Sequence, residues 1–155
     1  MADESVVVEP ADVRSAEATL LLARLTAELA HLYGDDGGIK AFSAADLDVP
    51  RSGFVVARVG GIAAGCGAFR PYSSDSAEIK RMYVEPAYRG RGLGRRVLEA
   101  LEDGARRAGY AKVRLETGTA QPEALGLYRA AGYYQIECYG HYRDDPRSVC
   151  FEKVL

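Results

Sequence analysis

The segment Glu78–Arg96, EIKRMYVEPAYRGRGLGRR, constrains the chain more than any other. An apolar-rich run reads as a strand halted by Pro86, and the last eight residues of the segment hold four arginines and three glycines. From Gly92 the pattern turns helical, with Leu93, Val97, Leu101 and Ala105 on one face and Gly109 as the stop. A strand, a prolyl turn and a glycine-rich turn thus open directly into a long amphipathic helix. The first four N–H groups of a helix lack internal partners, and the macrodipole places partial positive charge there. Glycines let a bulky anion approach those amides and arginines add full charge, so the turn suits a phosphate or pyrophosphate. A disordered arginine–glycine RNA tract would not run into an amphipathic helix. A dinucleotide fingerprint fails because the sixth position from Gly90 is Arg95, and no G-K-[ST] closes a P-loop. A purely structural turn into the helix stays open as an alternative.

Any such anion site must be local. The net charge is −2, which gives no global attraction to nucleic acid or to an anionic membrane. With 155 residues, 48% hydrophobic and 27% charged, the composition is that of one globular domain. No window approaches the about 18 consecutive apolar residues that a membrane span needs. The N-terminal MADESVVVEP is acidic where a secretory signal is basic. Cys66, Cys138 and Cys150 are odd in number and form no C-x-x-C pair. They read as reduced packing residues of a cytoplasmic protein that binds no metal.

Along the chain, SVVVEP reads as a strand and residues 12–33 as a helix, with Leu21, Leu25, Leu29 and Leu32 at helical spacing and Gly34 as its stop. A short helix is expected around Ser43–Leu47. SGFVVARV and IAAGCGAFR, joined by Gly60-Gly61, form a hairpin whose turn needs positive φ. Gly65 and Gly67 mark a bulge or a close backbone contact. AEIKRMYV and AKVRLET are strands, and PEALGLYRAA is a helix with Pro122 in its first turn. YYQIECY and SVCFEKVL are the last two strands. The order predicts an α/β (α+β) fold, a mixed sheet of about seven strands with helices on both faces. An exposed last strand would offer an edge for a homodimer.

VEPAYRGRGLG resembles the acetyl-CoA signature of the GNAT N-acetyltransferase superfamily, R/Q-x-x-G-x-G/A after a strand ending V-x-P, with Arg89, Gly92 and Gly94 on its fixed positions. AEIKRMYV is similar to the family's fourth strand. QPEALGLYRAAGY is similar to its later helix motif, with Ala124, Leu127, Tyr128, Gly132 and Tyr133 in place. The resemblance covers the element order of the whole chain and implies one N-acetyltransferase domain over residues 1–155, with a splayed fourth and fifth strand pair. It also implies acetyl-CoA as cosubstrate, without a metal.

Carried over residue by residue, the resemblance has the backbone of Met82, Tyr83 and Val84 pairing with the pantetheine arm, by the logic of strand addition. The amides of Gly90, Arg91, Gly92, Leu93, Gly94 and Arg95, beside Arg89, would hold the pyrophosphate. Arg91 and Arg95 are either surface charges or contacts to the remaining phosphate. Gln121 stands where the family has an asparagine. Tyr128 matches the general acid that protonates the departing thiolate, or it is one of ten tyrosines that merely packs. Glu78 is either the general base for the incoming ammonium or a cross-strand partner of a basic residue; Glu116 is the other candidate base. Cys66, with no neighbouring histidine or helix N-terminus, reads as packing rather than as a nucleophile.

The implied reaction is acetyl transfer to a primary amine by direct attack in a ternary complex. The acceptor is expected to be a small molecule, with an amino-acid-like one suiting arginines among aromatics. Tyr33, Phe42, Arg70, Tyr72, Tyr139, His141, Tyr142 and Arg143 are candidates for that side. A protein lysine or N-terminal acetyltransferase and a non-catalytic CoA-binding regulatory domain are the alternatives.

Overall fold

A computed structural model describes residues 5–155; the first four residues of the acidic N-terminus lie outside it. The elements run β1 (Val6–Pro10), α1 (Ala16–Tyr33), β2 (Gly53–Val59), β3 (Ile62–Pro71), β4 (Ser76–Val84), α2 (Leu93–Arg107), β5 (Lys112–Gly118), α3 (Pro122–Ala130), β6 (Tyr134–Ile136) and β7 (Ser148–Val154). Single 3₁₀ turns lie at Ala44–Leu47, Pro86–Tyr88 and Gly140–Tyr142. The seven strands make one sheet in the order β1-β2-β3-β4-β5-β7-β6. All neighbours are antiparallel except β4 and β5, which α2 joins as a parallel crossover pair.

Period-2 alternation sorts the sheet's side chains between two cores. On β2, Phe54 and Val56 face α1 with its Ala18, Leu21 and Leu25. Val55, Ala57 and Val59 face α2, whose Leu93, Val97, Leu98, Leu101 and Ala105 form its buried stripe beside Tyr128 of α3. Helices therefore cover both faces. Ser15 caps α1 by accepting the Ala18 N–H at 3.2 Å, so this helix starts later than its apolar pattern suggested. Gly60 and Gly61 take the positive φ of the hairpin turn.

Two irregularities interrupt the alternation. On β3, Ala57 pairs with Gly65 but Arg58 with Ala63, which leaves Ala64 as an extra residue. Between β3 and β4, Cys66 pairs with Tyr83 and Ala68 with Lys80, so Arg81 and Met82 together oppose Gly67. Arg81 takes a φ of 58°, and beyond it every side chain of β4 has changed face. Ile79 and Met82 lie on the α2 side, and Tyr83 on the α1 side. Gly67 is required because a Cβ there would come within 2.7 Å of Leu101 and 2.9 Å of Val97 on α2.

Two expectations need correction. β7 lies between β5 and β6, so the last strand is not the edge of the sheet. Cys138 and Cys150 are not reduced packing residues but are disulfide-bonded, with Cα atoms 5.1 Å apart. The register explains this: Ile136 pairs with Cys150, and the chain leaving β6 brings Cys138 back over the same strand. β6 is consequently shorter than its apolar run, because Cys138 and Tyr139 turn off the sheet. Cys66 is buried and free, and burial pushes its thiol up to about 12, consistent with packing. Among the described residues no helix is long and apolar enough to cross a membrane.

Leu101 is fully buried at the contact between α2 and the sheet. Leu101→Ala is expected to cost about 2–5 kcal/mol, read as a lower midpoint in urea denaturation.

Candidate active site

The parallel ladder between β4 and β5 contains only the pairs Ser76–Lys112, Ala77–Val113 and Glu78–Arg114. Past Glu78 the strands diverge, and the facing edges of Ile79–Val84 and Leu115–Gly118 no longer pair with each other. A cavity of about 510 Å³ occupies the gap. Its walls are β4, β5, the end of α1 with the turn 35–41, the start of α3 and the segment 141–148.

At the far end of β4 the chain turns through Gly90 and Gly92, both near φ +80°, into α2. A Cβ at either glycine would meet no atom within 4 Å, so the left-handed backbone selects glycine there and the space in front stays open. The helix cap is Gly92, which has no side chain to accept an amide hydrogen bond. The first ladder bond runs from the Arg96 N–H to the Gly92 carbonyl, so the amides of Leu93, Gly94 and Arg95 precede it. No acidic residue lies in the first turn, while Arg95 and Arg96 add positive charge to the positive pole of the dipole. An uncapped, positively charged helix start fits a diphosphate, and the unpaired edge of β4 fits the amide-bearing arm attached to it.

The arginines divide in their roles. Arg89 donates to the Val84 carbonyl at 2.9 Å and to Glu28 of α1 at 2.7 Å, which braces the turn against the strand it leaves. Arg91 lies over the Tyr88 ring, and Arg95 pairs with Glu99 one helical turn on. Leu93 is a core residue. Gly94 faces Leu127 of α3, where a Cβ would sit at 3.3 Å.

Of the residues singled out in the sequence, Tyr128, Met82, Gln121, Glu116, Tyr33, His141 and Tyr142 line the cavity, whereas Phe42 and Arg143 do not. Tyr128, 7% exposed, reaches from α3 between the splayed strands and donates to the Met82 sulfur at 3.7 Å. Burial raises its phenol above the usual range, with the Glu116 carboxylate adding to the shift, so it stays protonated. The Gln121 carbonyl accepts from the Tyr33 hydroxyl at 3.0 Å and from the Gly118 amide at 3.2 Å, tying the ends of α1 and β5 together. The Tyr83 side chain enters the α1 core.

Glu78, Arg70, Tyr72 and Tyr139 are not brought to the cavity wall. Glu78 is 5% exposed and both its oxygens are occupied. Arg70 donates to Oε1 at 2.9 and 3.1 Å, and the Tyr139 hydroxyl to Oε2 at 2.9 Å. Arg70 and Glu78 are directly paired across β3 and β4, and Arg70 also binds Asp46. Glu78 thus has Arg70 as its cross-strand partner. Tyr72 packs on Tyr139, and Arg114 lies over both rings.

Glu116 does line the cavity, where Ser148 donates to its Oε2 at 2.7 Å. Burial raises its carboxyl above the usual range, and Ser148 and Lys80 only partly offset this. Several wall residues escaped the sequence reading as functional. Lys80 donates to the Tyr142 hydroxyl, and burial lowers its ammonium. Arg81 donates to the carbonyls of Gly37 and Gly38 and holds the turn after α1 against β4. Arg147 pairs with Asp145 and Asp35 at the rim. The polar alternation Glu78–Lys80 within a buried strand was a readable signal for Lys80; Ser148 and Arg147 carried none.

The model of the Acetyltransferase (GNAT) family matches residues 19–133. The chain is 38% identical over 138 residues to the IAA acetyltransferase of Azospirillum brasilense, covering 86% of this chain and 90% of that protein. It is 37% identical over 120 residues to the N-alpha-acetyltransferase RimI of Mycobacterium tuberculosis, covering 74% and 71% respectively. A solved structure from Klebsiella pneumoniae, described provisionally as an acyl-CoA N-acyltransferase, has a TM-score of 0.81 and 32% identity over 97% of both chains.

The Glu78 network is a buried ion pair, so its test is stability. Arg70→Met leaves the Glu78 carboxylate without its cation and should cost about 3–5 kcal/mol in urea denaturation. The double change Arg70→Met, Glu78→Leu should recover most of that loss.

Proposed function

The chain belongs to the Acetyltransferase (GNAT) family and is an acyltransferase, and from that premise we propose that it carries the acetyl group of acetyl-CoA to the primary amine of a small molecule. The observation that carries this reading is the cavity between β4 and β5, with a buried tyrosine and a buried carboxylate on its walls. The uncapped start of α2 would hold the diphosphate and the free edge of β4 the pantetheine arm, which together place the thioester in the gap. On the acceptor side His141, Tyr142, Asp145, Arg147 and Ser148 form part of the wall, which supports a small acceptor over a protein chain.

An amine arrives as ammonium, with a pKa of about 8 to above 10, and must lose a proton before it attacks. Glu116 takes this role in our reading, because it lines the cavity and burial makes it a stronger base than an exposed carboxylate. The neutral amine then attacks the thioester carbon directly, and a β4 backbone N–H beside Val84 stabilises the oxyanion. As the carbon–sulfur bond breaks, Tyr128 hands its proton to the sulfur. Burial keeps that hydroxyl protonated until a thiolate forms next to it. The reading places the protein in the cytoplasm. Similarity to an N-alpha-acetyltransferase supports a second reading, transfer to peptide α-amines.

The test is release of free CoA thiol from acetyl-CoA across amines, amino acids and peptides. Turnover with small amines supports the first reading, and turnover with peptides alone moves it to the second. Tyr128→Phe should lower kcat by roughly 10²–10⁴-fold while acetyl-CoA affinity stays near that of the wild type; equal loss of both would make Tyr128 a packing residue. For Glu116, kcat/KM should rise with pH through an inflection above the ordinary glutamate range, since only the deprotonated carboxylate accepts a proton. Glu116→Gln should abolish that inflection and lower kcat.

A further inference from the structure

The cavity holds a cation that the proposed chemistry leaves unused. Lys80 projects from β4 just before the bulge, half-buried, and its recorded partner among the described residues is the Tyr142 side chain. The ammonium donates to the Tyr142 hydroxyl and lies 5.0 Å from the ring centroid. The nearby carboxylates are otherwise engaged. Glu78 is held by Arg70 and Tyr139, and Glu116 accepts from Ser148. Neither forms an ion pair with Lys80. The neighbouring wall guanidiniums are engaged too: Arg81 binds the Gly37 and Gly38 carbonyls, and Arg147 binds Asp145.

A desolvated ammonium without a carboxylate partner is costly to keep, unless a ligand supplies the missing charge. Lys80 has three N–H donors and gives one to Tyr142, while the Tyr142 hydroxyl, an acceptor in that bond, keeps its own proton to donate. Donors from a cation and a phenol, side by side on one wall, match the oxygens of a carboxylate. Glu116 lies in the same cavity and within electrostatic reach of Lys80. Among the charged residues that line the cavity, Lys80 and Glu116 thus offer an occupant a cation and a carboxylate, neither of them held in an ion pair with another described residue.

We propose that Lys80 and Tyr142 bind the carboxylate of the acceptor, so that the preferred substrate is an amino acid whose ammonium is directed to Glu116. This assignment rests on the acetyl-transfer reading above and takes the place of the candidate arginines, of which Arg70 is committed to Glu78 and Asp46 and Arg143 does not line the cavity.

The experiment compares free amino acids with their carboxamides and with the corresponding amines lacking the carboxylate, in the CoA-release assay. The wild type should favour the free acid by roughly tenfold or more in kcat/KM, because a site built to pair a charged group discriminates against analogues without it. Lys80→Met should collapse that ratio toward one, chiefly by raising KM for the acid, and Lys80→Arg should restore part of it. Tyr142→Phe, which keeps the ring, should lower the ratio by a smaller factor. Acetyl-CoA titration of each variant reports whether the cradle is intact. A wild type indifferent to the carboxylate, or a ratio unchanged by Lys80→Met, overturns the proposal while leaving acetyl transfer in place. Absence of CoA release from every amine and peptide overturns the transfer reading itself and this assignment with it.

Discussion

The extra residue that β4 carries opposite Gly67 organises everything around the candidate site. An inserted residue reverses which face each later side chain meets, and it bends and twists the strand. Before the bulge, Ile79 joins the α2 core while Glu78 and Lys80 point to the side of α1; after it, Met82 joins the α2 core and Tyr83 the α1 core. Arg81 occupies the kink itself, with a positive φ that a non-glycine residue adopts at a cost. Its guanidinium recovers part of that cost by binding the turn that follows α1. The same stretch of β4 parts from β5, so one backbone irregularity accompanies the cavity, the unpaired strand edge and the placement of Met82 against Tyr128.

Two buried glutamates near this bend do different work, and their hydrogen-bond partners account for the difference. Glu78 receives two arginine N–H groups and a phenol, so both of its oxygens have partners within the fold. Glu116 receives a serine hydroxyl and faces the cavity, with no guanidinium to hold its charge. A carboxylate that is buried but under-compensated is the better proton acceptor near neutral pH. Glu78 thus braces Arg70 and Tyr139, and the proposed base is Glu116 because it is the one of the two that lines the cavity.

The segment from Cys138 to Cys150 joins these features. Tyr139 serves Glu78, Tyr142 serves Lys80, and Ser148 at the start of β7 serves Glu116, so three side chains of this segment hold three charged residues of two strands. The Cys138–Cys150 bond closes that loop across β6 and β7. Its aromatic residues are buried although the segment has little regular structure, which is the signature of a loop held by side-chain contacts rather than by a ladder.

Local chemistry was enough to read much of this from the sequence. The α2 stripe of Leu93, Val97, Leu101 and Ala105, the Gly60-Gly61 hairpin and the helix-opening turn at Gly90–Gly94 all rest on residues close together in the chain, whereas Tyr128 was singled out by the family resemblance. Periodicity, positive φ and unpaired helix amides are properties of short segments, so their sequences report them directly. Tertiary structure alone decided the rest. It paired Glu78 with Arg70, joined Cys138 to Cys150, enclosed β7 within the sheet, and turned Lys80 and Ser148 toward Glu116. Those outcomes depend on strand register and on a one-residue bulge, and register arises from contacts between segments far apart in sequence, which no local pattern encodes.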